Sequence, residues 1–411
     1  MTSLPATLEQ SPTTSPLPSN LGGPRLLQSI ALGNFLSFGP EMGRLPLNNL
    51  NVLVGPNGSG KSNLLEAISL LRSTPEDLRQ VVSRGGGVGE WIWKGAPHGN
   101  ATLEAVFAPV RGSQQMRHDL SFRAERQSFR LVDERIESNG LVEPGGEPLV
   151  YYRYRQGRPI MKTREGNPRN LDWEPTDLEP SILARLYDPE GYPEISDIVD
   201  SYGSIRLFRD WEFGRNTIFR EPQRADMRSD RLEEDFSNLG LFLNRLRRQP
   251  KVKAALLEKL RDLYDGLTDF DISVEGGTVQ VYFTEGDFTI PATRLSDGSV
   301  RYLCLLAILC DPNPPPLIGL EEPELGLHPD LLPKVADLLV AASQRTQLIV
   351  TTHSDILVDS LTPQPDALVI CEKHEGRTTL RRLENHEVQP WLEKYRLGQL
   401  WTRGQLGGTR W

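Results

Sequence analysis

The feature that most restricts how this chain can fold is an eight-residue run, Gly55-Pro56-Asn57-Gly58-Ser59-Gly60-Lys61-Ser62. It matches G-x-x-x-x-G-K-[ST] and follows the short apolar run Leu50–Val54. After it, Leu64, Leu65, Ala67, Ile68 and Leu71 recur at helical spacing. The pattern predicts a buried strand, a tight glycine loop and a helix. Glycines let the loop turn its backbone N–H groups toward phosphate oxygens, and the helix N-terminus adds its positive dipole end. Lys61 then neutralises the outer phosphates, and the Ser62 hydroxyl is placed to ligate Mg2+. An ordinary Gly-rich turn lacks these flanks, so the run reads as a nucleotide site in an α/β fold.

Around that site the text alternates between β and α character. The stretch before residue 50 reads, with 50–54, as two strands joined by turn-forming Gly, Pro and Asn. Residues 101–162 carry β-like runs separated by Gly, Gln and Asn clusters, which suggests an antiparallel sheet. Residues 180–266 read as mostly helical, with Pro250 as a break between two helices. Short strands are expected at 270–275 and 279–284, and then a closing α/β portion with LIVTT (348–352) and ALVIC (367–371) as strands. No internal repeat and no sustained heptad seam is visible. The expected organisation is a flexible tail over 1–24, a first head portion over 25–175, a helical insert lobe over 176–268 and a second head portion over 269–411.

Composition removes several classes of function. Net charge is −9, so there is no global basic footprint for nucleic acid, and any DNA contact has to come from a local patch. No apolar run approaches the length that spans a bilayer. The opening residues lack a basic n-region and an apolar core, and their Pro/Ser/Thr content suits a flexible tail rather than a secretory signal. Cys304, Cys310 and Cys371 show neither zinc spacing nor a disulfide framework, which fits a reducing cytoplasm. The first two fall on a predicted helix and read as small buried residues.

Four further segments carry chemistry. The apolar, Pro-fronted run 316–320 ends in Glu321-Glu322-Pro323-Glu324. Alone, such a run is an acidic surface turn. At the end of a buried strand, beside a phosphate loop, one carboxylate can hold Mg2+ and another can polarise the attacking water. Glu321 is assigned to the metal and Glu322 to the catalytic base. Gly326-Leu327-His328-Pro329 and a helix over 331–342 follow, after which LIVTT delivers His353-Ser354. A histidine at a strand end, one strand after the acids, is placed to reach a γ-phosphate. Upstream, Leu295-Ser296-Asp297-Gly298-Ser299 precedes an apolar helix over 300–309. Ser296 and Gly298 at that N-terminus form a second anion site. Two helix N-termini on one side of a sheet cannot both face one nucleotide, so this site is expected to serve the nucleotide of a partner chain.

With all five segments in order, the chain resembles the ABC-type ATPases of the SMC, RecF and OLD group. GPNGSGKS looks like their Walker A, with Asn63 beside it among the nucleotide contacts. LSDGS looks like their signature, GLEEPE like their Walker B, GLHP like their D-loop and TTHS like their switch histidine. NFLSF (34–38) resembles the strand that opens these heads, and the ending WTRGQLGGTRW (401–411) is similar to that of small stand-alone members. The likeness covers about 26–74 and 293–371. It implies a mixed central sheet flanked by helices, and ATP with Mg2+ held between Walker A of one subunit and the signature of the other. A homodimer or higher homo-oligomer follows from that arrangement. Two positions depart from the pattern. Glu321 stands where Asp is commoner, and no clear Q-loop is visible, Gln80 being the nearest glutamine after the loop helix.

The resemblance leaves the biology to be weighed. Lys61 and Ser296 are 235 residues apart (296 − 61), about twice what a compact transporter subunit requires. The helices around Pro250 are too short for a filamentous coiled-coil arm. One reading is an OLD-related anti-phage defence ATPase controlling a nuclease-like effector. Only 58 residues follow His353 (411 − 353), with no D-x-D among them, so the effector is expected on a separate chain. The alternative is a RecF-like repair factor whose ATP-bound dimer clamps DNA, with the Arg-rich segments 215–231 and 245–261 as phosphate contacts. Those arginines alternate with Asp and Glu, which favours a solvated face. Lys61→Ala is expected to abolish ATP binding measured by calorimetry, because the loop loses its cation; unchanged affinity would overturn the assignment.

Overall fold

A computed structural model describes residues 24–108, 114–142, 146–155, 158–162, 168–169, 181–214, 217–218, 221–263 and 266–408. The expected tail over 1–24 lies outside these residues apart from Pro24, as do Arg215 and the last three residues.

β1 (Leu27–Gly33) and β2 (Gly43–Pro46) pair antiparallel, and β3 (Leu50–Val54) then leaves them for a different sheet. α1 (Lys61–Ser73), α2 (Leu78–Arg84) and α3 (Val88–Trp91) follow. β4 (Ala101–Phe107) returns to β1, and β5 (Met116–Glu125), β6 (Ser128–Val142), β7 (Pro148–Arg155), β8 (Arg158–Lys162) and β9 (Pro168–Arg169) extend the sheet. Its eight strands run in the order β2-β1-β4-β5-β6-β7-β8-β9, all antiparallel. The β-rich reading of 101–162 therefore corresponds to one continuous sheet.

Next come α4 (Pro193–Gly203), β10 (Arg206–Phe208), β11 (Gln223–Arg224), α5 (Leu239–Arg247) and α6 (Pro250–Leu263). Pro250 opens α6, where its missing N–H is not needed by the helix. β12 (Leu267–Glu275), β13 (Thr278–Glu285) and β14 (Phe288–Pro291) form a small antiparallel sheet with β11. α7 (Asp297–Leu309), β15 (Leu317–Glu321), α8 (Leu332–Ala342), β16 (Gln347–Thr352), α9 (Asp355–Ser360), β17 (Leu368–His374) and β18 (Arg377–Arg382) complete the α/β portion. α10 (Asn385–Leu392) and α11 (Leu397–Thr402) close the chain.

The central sheet has the order β10-β15-β16-β3-β17-β18, parallel except for the β17–β18 pair. Its inner strands β15, β16 and β3 are buried and mostly apolar because both faces are covered, whereas the edge strand β18 is polar and largely exposed. In β3, Leu50, Val52 and Val54 belong to one core with α5–α8, while Leu53 joins the other with α1 and α4. The second core also takes the inner face of the antiparallel sheet, through Leu103, Leu120, Phe122 and Ile136. Burial on both faces of the inner strands therefore fixes a layered arrangement in which α1 packs between the central sheet and the antiparallel sheet.

Three expectations change. The opening segment holds three strands, since β2 lies between the two that its composition suggested. NFLSF is a tight turn and not a strand: Asn34 and Leu36 take φ of 52° and 50°, and Phe35 and Phe38 exchange backbone hydrogen bonds at 3.1 and 2.8 Å. The turn buries Phe35 edge-on against Trp91 and Phe122, with ring centroids 5.7 and 6.1 Å apart. Its apolar residues fill a core without extending a ladder. The region expected to be a helical lobe also places β10 on the edge of the central sheet, beside β15.

A buried polar cluster ties the antiparallel sheet to α4. His118 of β5 lies 3.2 Å from both Tyr202 Oη and Glu134 Oε1, and all three side chains are fully buried. Glu134 also accepts from Ser181 Oγ and, at 2.9 Å, from the Ile182 N–H. Removing this acceptor strands buried donors at about 1–3 kcal/mol each. Glu134→Ala is expected to lower unfolding stability by about 3 kcal/mol or more, read from denaturant midpoints. A change below ~0.5 kcal/mol, typical of a neutral surface substitution, would show that the cluster is not structural.

Candidate nucleotide site

The glycine loop sits where the pattern required, between the end of β3 and the start of α1. Gly58 and Gly60 take φ of 76° and 101°, a region that glycine enters without cost. At Gly60 space is also closed: a β-carbon would stand 2.2 Å from Thr378 Oγ1 and 2.8 Å from Ser37 Oγ. Those two hydroxyls brace the loop from behind. Ser37 and Thr378 are 2.6 Å apart, Thr378 donates to the Ser59 carbonyl at 2.8 Å, and Asn63 Nδ2 donates to Ser37 at 2.5 Å.

Lys61 is buried, and its ammonium donates to the carbonyls of Gly55 and Pro56 at 2.9 and 3.1 Å. Burial pulls its pKa below the ordinary lysine value, while Glu322, Glu324 and Glu321 act in the opposite direction. The amine is folded back on its own loop, donating to the Gly55 and Pro56 carbonyls. With Ser62 as the next residue and Glu321 across the sheet, the available ligands are a hydroxyl and a carboxylate. Hard oxygen donors that few in number suit Mg2+ completed by phosphate and water.

Parallel pairing brings the acids and the histidine to the loop. Glu321 pairs with Thr351, and Thr352 with Val54, so three strand ends stop at one level. Glu322 follows directly with φ of 45°, a left-handed conformation unfavourable for a side chain, and its N–H donates to the Thr351 carbonyl at 3.0 Å. In that turn Glu322 Oε1 lies 3.2 Å from His353 Nε2. Glu324 accepts from Thr352 Oγ1 at 2.5 Å and from the His353 N–H at 2.9 Å, which holds the histidine backbone. Burial lifts the Glu324 carboxyl above its usual range.

Ser296 caps α7, accepting from the Ser299 N–H at 3.2 Å, and is solvent-exposed. Its partners lie within α7 and not on the Gly55–Ser62 loop. Gly298 packs against the D-loop: a β-carbon there would stand 2.9 Å from the Gly326 carbonyl. The start of α7 therefore meets the segment 326–329, while the Gly55–Ser62 loop, Glu321, Glu322 and His353 gather at the ends of three neighbouring strands. Gln80 lies exposed on α2.

Comparison with known proteins follows this geometry. A family profile described as an AAA domain, putative AbiEii toxin of a type IV TA system, matches residues 50–359, from the start of β3 to α9. The chain belongs to this family. Across 257 residues this AAA-domain protein is 26% identical to the chromosome partition protein Smc of Gloeobacter violaceus. The match takes in 57% of the chain but spans only 18% of that relative's length. Among solved structures it is similar to an Smc head bound to the C-winged helix domain of ScpA, at TM-score 0.53 and 17% identity over 89% of this chain and 99% of that one. A Pyrococcus furiosus Smc head with an extended coiled coil, bound to the C-terminal domain of ScpA, gives 0.51 at 16% identity, covering 90% and 99%. The fold is that of an SMC/RecF-like ABC-type P-loop ATPase head.

Several residues that build the site carry no sequence signal. Ser37 and Thr378 meet only through folding. Arg209 lies in the segment after β10; its Nε donates to Glu321 Oε2 at 2.8 Å, and its Nη2 is 2.8 Å from Glu66 on α1. Trp211 Nε1 donates to the Glu321 carbonyl at 2.6 Å. Arg301 of α7 lies over the rings of both Trp211 and Phe213 and donates to the Glu322 carbonyl at 3.3 Å. No helix among the described residues is long and apolar enough to cross a membrane.

Glu324→Ala is expected to lower thermal stability by about 1–3 kcal/mol, because the Thr352 hydroxyl and the His353 N–H lose their acceptor. Because the folded state raises the Glu324 pKa, its contribution is present at low pH and lost as pH rises through that value. Glu324→Gln, neutral throughout, is expected to remove this loss and to be at least as stable as the parent at neutral pH. A Gln variant as damaged as the Ala variant at pH 7 would show that the carboxylate itself is required.

Proposed function

We propose that this ATPase-head protein binds and hydrolyses ATP with Mg2+ between two head-to-tail copies, and that the cycle controls a separate effector protein. The Glu322–His353 pair carries the reading. It lies at the ends of two adjacent parallel strands, level with the phosphate loop on a third. A carboxylate within reach of a histidine, beside a cradle of backbone N–H groups, suits activation of a water against a γ-phosphate. Lys61 exchanges its loop carbonyls for phosphate oxygens. Glu322 accepts the proton of the attacking water, and His353, paired with Glu322, holds that geometry while contacting the γ-phosphate. Ser62 and Glu321 would hold Mg2+, whose chemical contribution is to neutralise charge on the phosphates.

Gly55 through Asn63 supply contacts from one copy, and Ser296 and Gly298 supply them from the other. Support for the second half comes from the exposed cap of α7, whose hydroxyl has no role at its own loop. A homodimer is the smallest assembly that completes two such sites, and the cytoplasm is the expected compartment. The effector is proposed as a nuclease-like protein of a defence-type complex. A DNA clamp is the weaker reading, because four of the arginines in the segments 215–231 and 245–261 are already paired with carboxylates. Arg224 pairs with Asp226, Arg228 with Asp230, Arg245 with Asp311 and Arg247 with Asp271.

Glu322→Gln is expected to bind ATP, to lose turnover by a factor of ~10² or more, and to accumulate as a dimer holding two nucleotides in native mass spectrometry. A second protein retained in that species supports effector control, while retained nucleic acid favours the clamp. Adding Ser296→Arg is expected to return the species to ATP-bound monomers. Wild-type turnover in Glu322→Gln would move the base elsewhere, and a dimer that survives Ser296→Arg would overturn the role in trans.

A further inference from the structure

We propose that Arg209 is a positioning residue that lets a glutamate serve at the Walker B position, by tying Glu321 to the helix that carries Ser62. The inference rests on the reading of Glu321 as the metal-side acid. Compared with aspartate, Glu321 has one more rotatable bond, and each rotatable bond left free adds side-chain entropy that metal binding must overcome. A longer acid therefore reaches the same place only if something restricts it.

Arg209 supplies that restriction. Its Nε takes only Oε2 of Glu321, while Nη2 goes to Glu66, so Oε1 is not part of the pair. Glu66 lies four residues after Ser62 on α1, and residues at that spacing share a helix face. The guanidinium thus connects the strand end and the helix face that carry the two candidate metal ligands, and fixes their separation. A planar fork with donors on two edges can do this, whereas a lysine offers one point of charge. The backbone is held as well, because Trp211 donates to the Glu321 carbonyl from two residues further on. Both side chains of the pair are mostly buried, with 22% and 19% of their surface exposed, so water competes weakly for the contact. If Arg209 instead competed with the metal, it would be expected to engage both carboxylate oxygens; the geometry has it on one.

The test is a Mg2+ titration of the affinity for a fluorescent ATP analogue, in the Glu322→Gln background so that nothing is hydrolysed. Ligand-orienting contacts of this kind are worth about 10–100-fold in metal affinity. Arg209→Ala is expected to raise the half-saturating Mg2+ concentration by about 10-fold or more, with affinity in EDTA unchanged as a check that the protein is folded. Arg209→Lys is expected to recover only part of the shift. In the Glu321→Asp background the same Arg209→Ala change is expected to cost under about 3-fold, because the shorter acid needs less orientation. Equal shifts in both backgrounds, no shift, or tighter Mg2+ binding in Arg209→Ala would each overturn the positioning role. Glu321→Gln separates the two levels of the argument. If it leaves the Mg2+ dependence of the parent unchanged, the metal-side assignment itself is wrong. If Glu321→Gln shifts that dependence and Arg209→Ala does not, only the role of Arg209 fails.

Discussion

Parallel pairing of β15, β16 and β3 sets the level at which every candidate side chain emerges. Thr351 sits opposite Glu321, and Val54 opposite Thr352, so the next residue on each strand faces the same crevice. Those next residues are Glu322, His353 and Gly55. Ligands of open parallel sheets bind beyond the carboxyl ends of the strands, and here the register puts the phosphate loop, the acids and the histidine there together. A slip of one residue would move the acids to opposite faces of the sheet. The register resists slipping because each strand is buried on both sides, with Leu53 in one core and its neighbours Val52 and Val54 in the other.

The loop that this register presents is held by polar contacts rather than apolar ones. A backbone that offers its N–H groups to a ligand cannot spend them on a ladder, so its carbonyls and its conformation need other partners. Thr378 and Ser37 supply them from two distant segments, against a glycine that leaves no room for a side chain. On the opposite side of the site the polar contacts couple elements. Arg209 spans α1 and β15, and Arg301, packed against Trp211 and Phe213, hydrogen-bonds α7 directly to the Glu322 carbonyl. A shift of α7, where a second copy is proposed to bring its nucleotide, would therefore bear directly on the acids.

Most of the candidate site was legible because it is written in short runs with local consequences. A glycine loop between an apolar strand and a helix can be recognised without knowing what surrounds it, and so can a pair of acids after an apolar run. The matching of NFLSF to a strand failed for the converse reason. The strand was implied by resemblance, an apolar run suits a ladder as well as a plug, and what decided was Phe35 finding Trp91 and Phe122. β10 escaped notice because three residues within a region read as helical carry no periodicity of their own, and they become a strand only beside β15.

By itself, then, the sequence determined the α/β class, the strand–loop–helix around residues 55–62 and the short runs that carry Glu321, Glu322 and His353 as candidates, since each depends on residues within a few positions of one another. Only the tertiary structure decided which hydroxyls brace the loop, that Glu322 meets His353, and that Arg209 reaches across 112 positions of chain to Glu321. Contacts between residues far apart in the chain are selected by packing and register. Both are properties of the whole fold, and a local window of sequence holds no record of them.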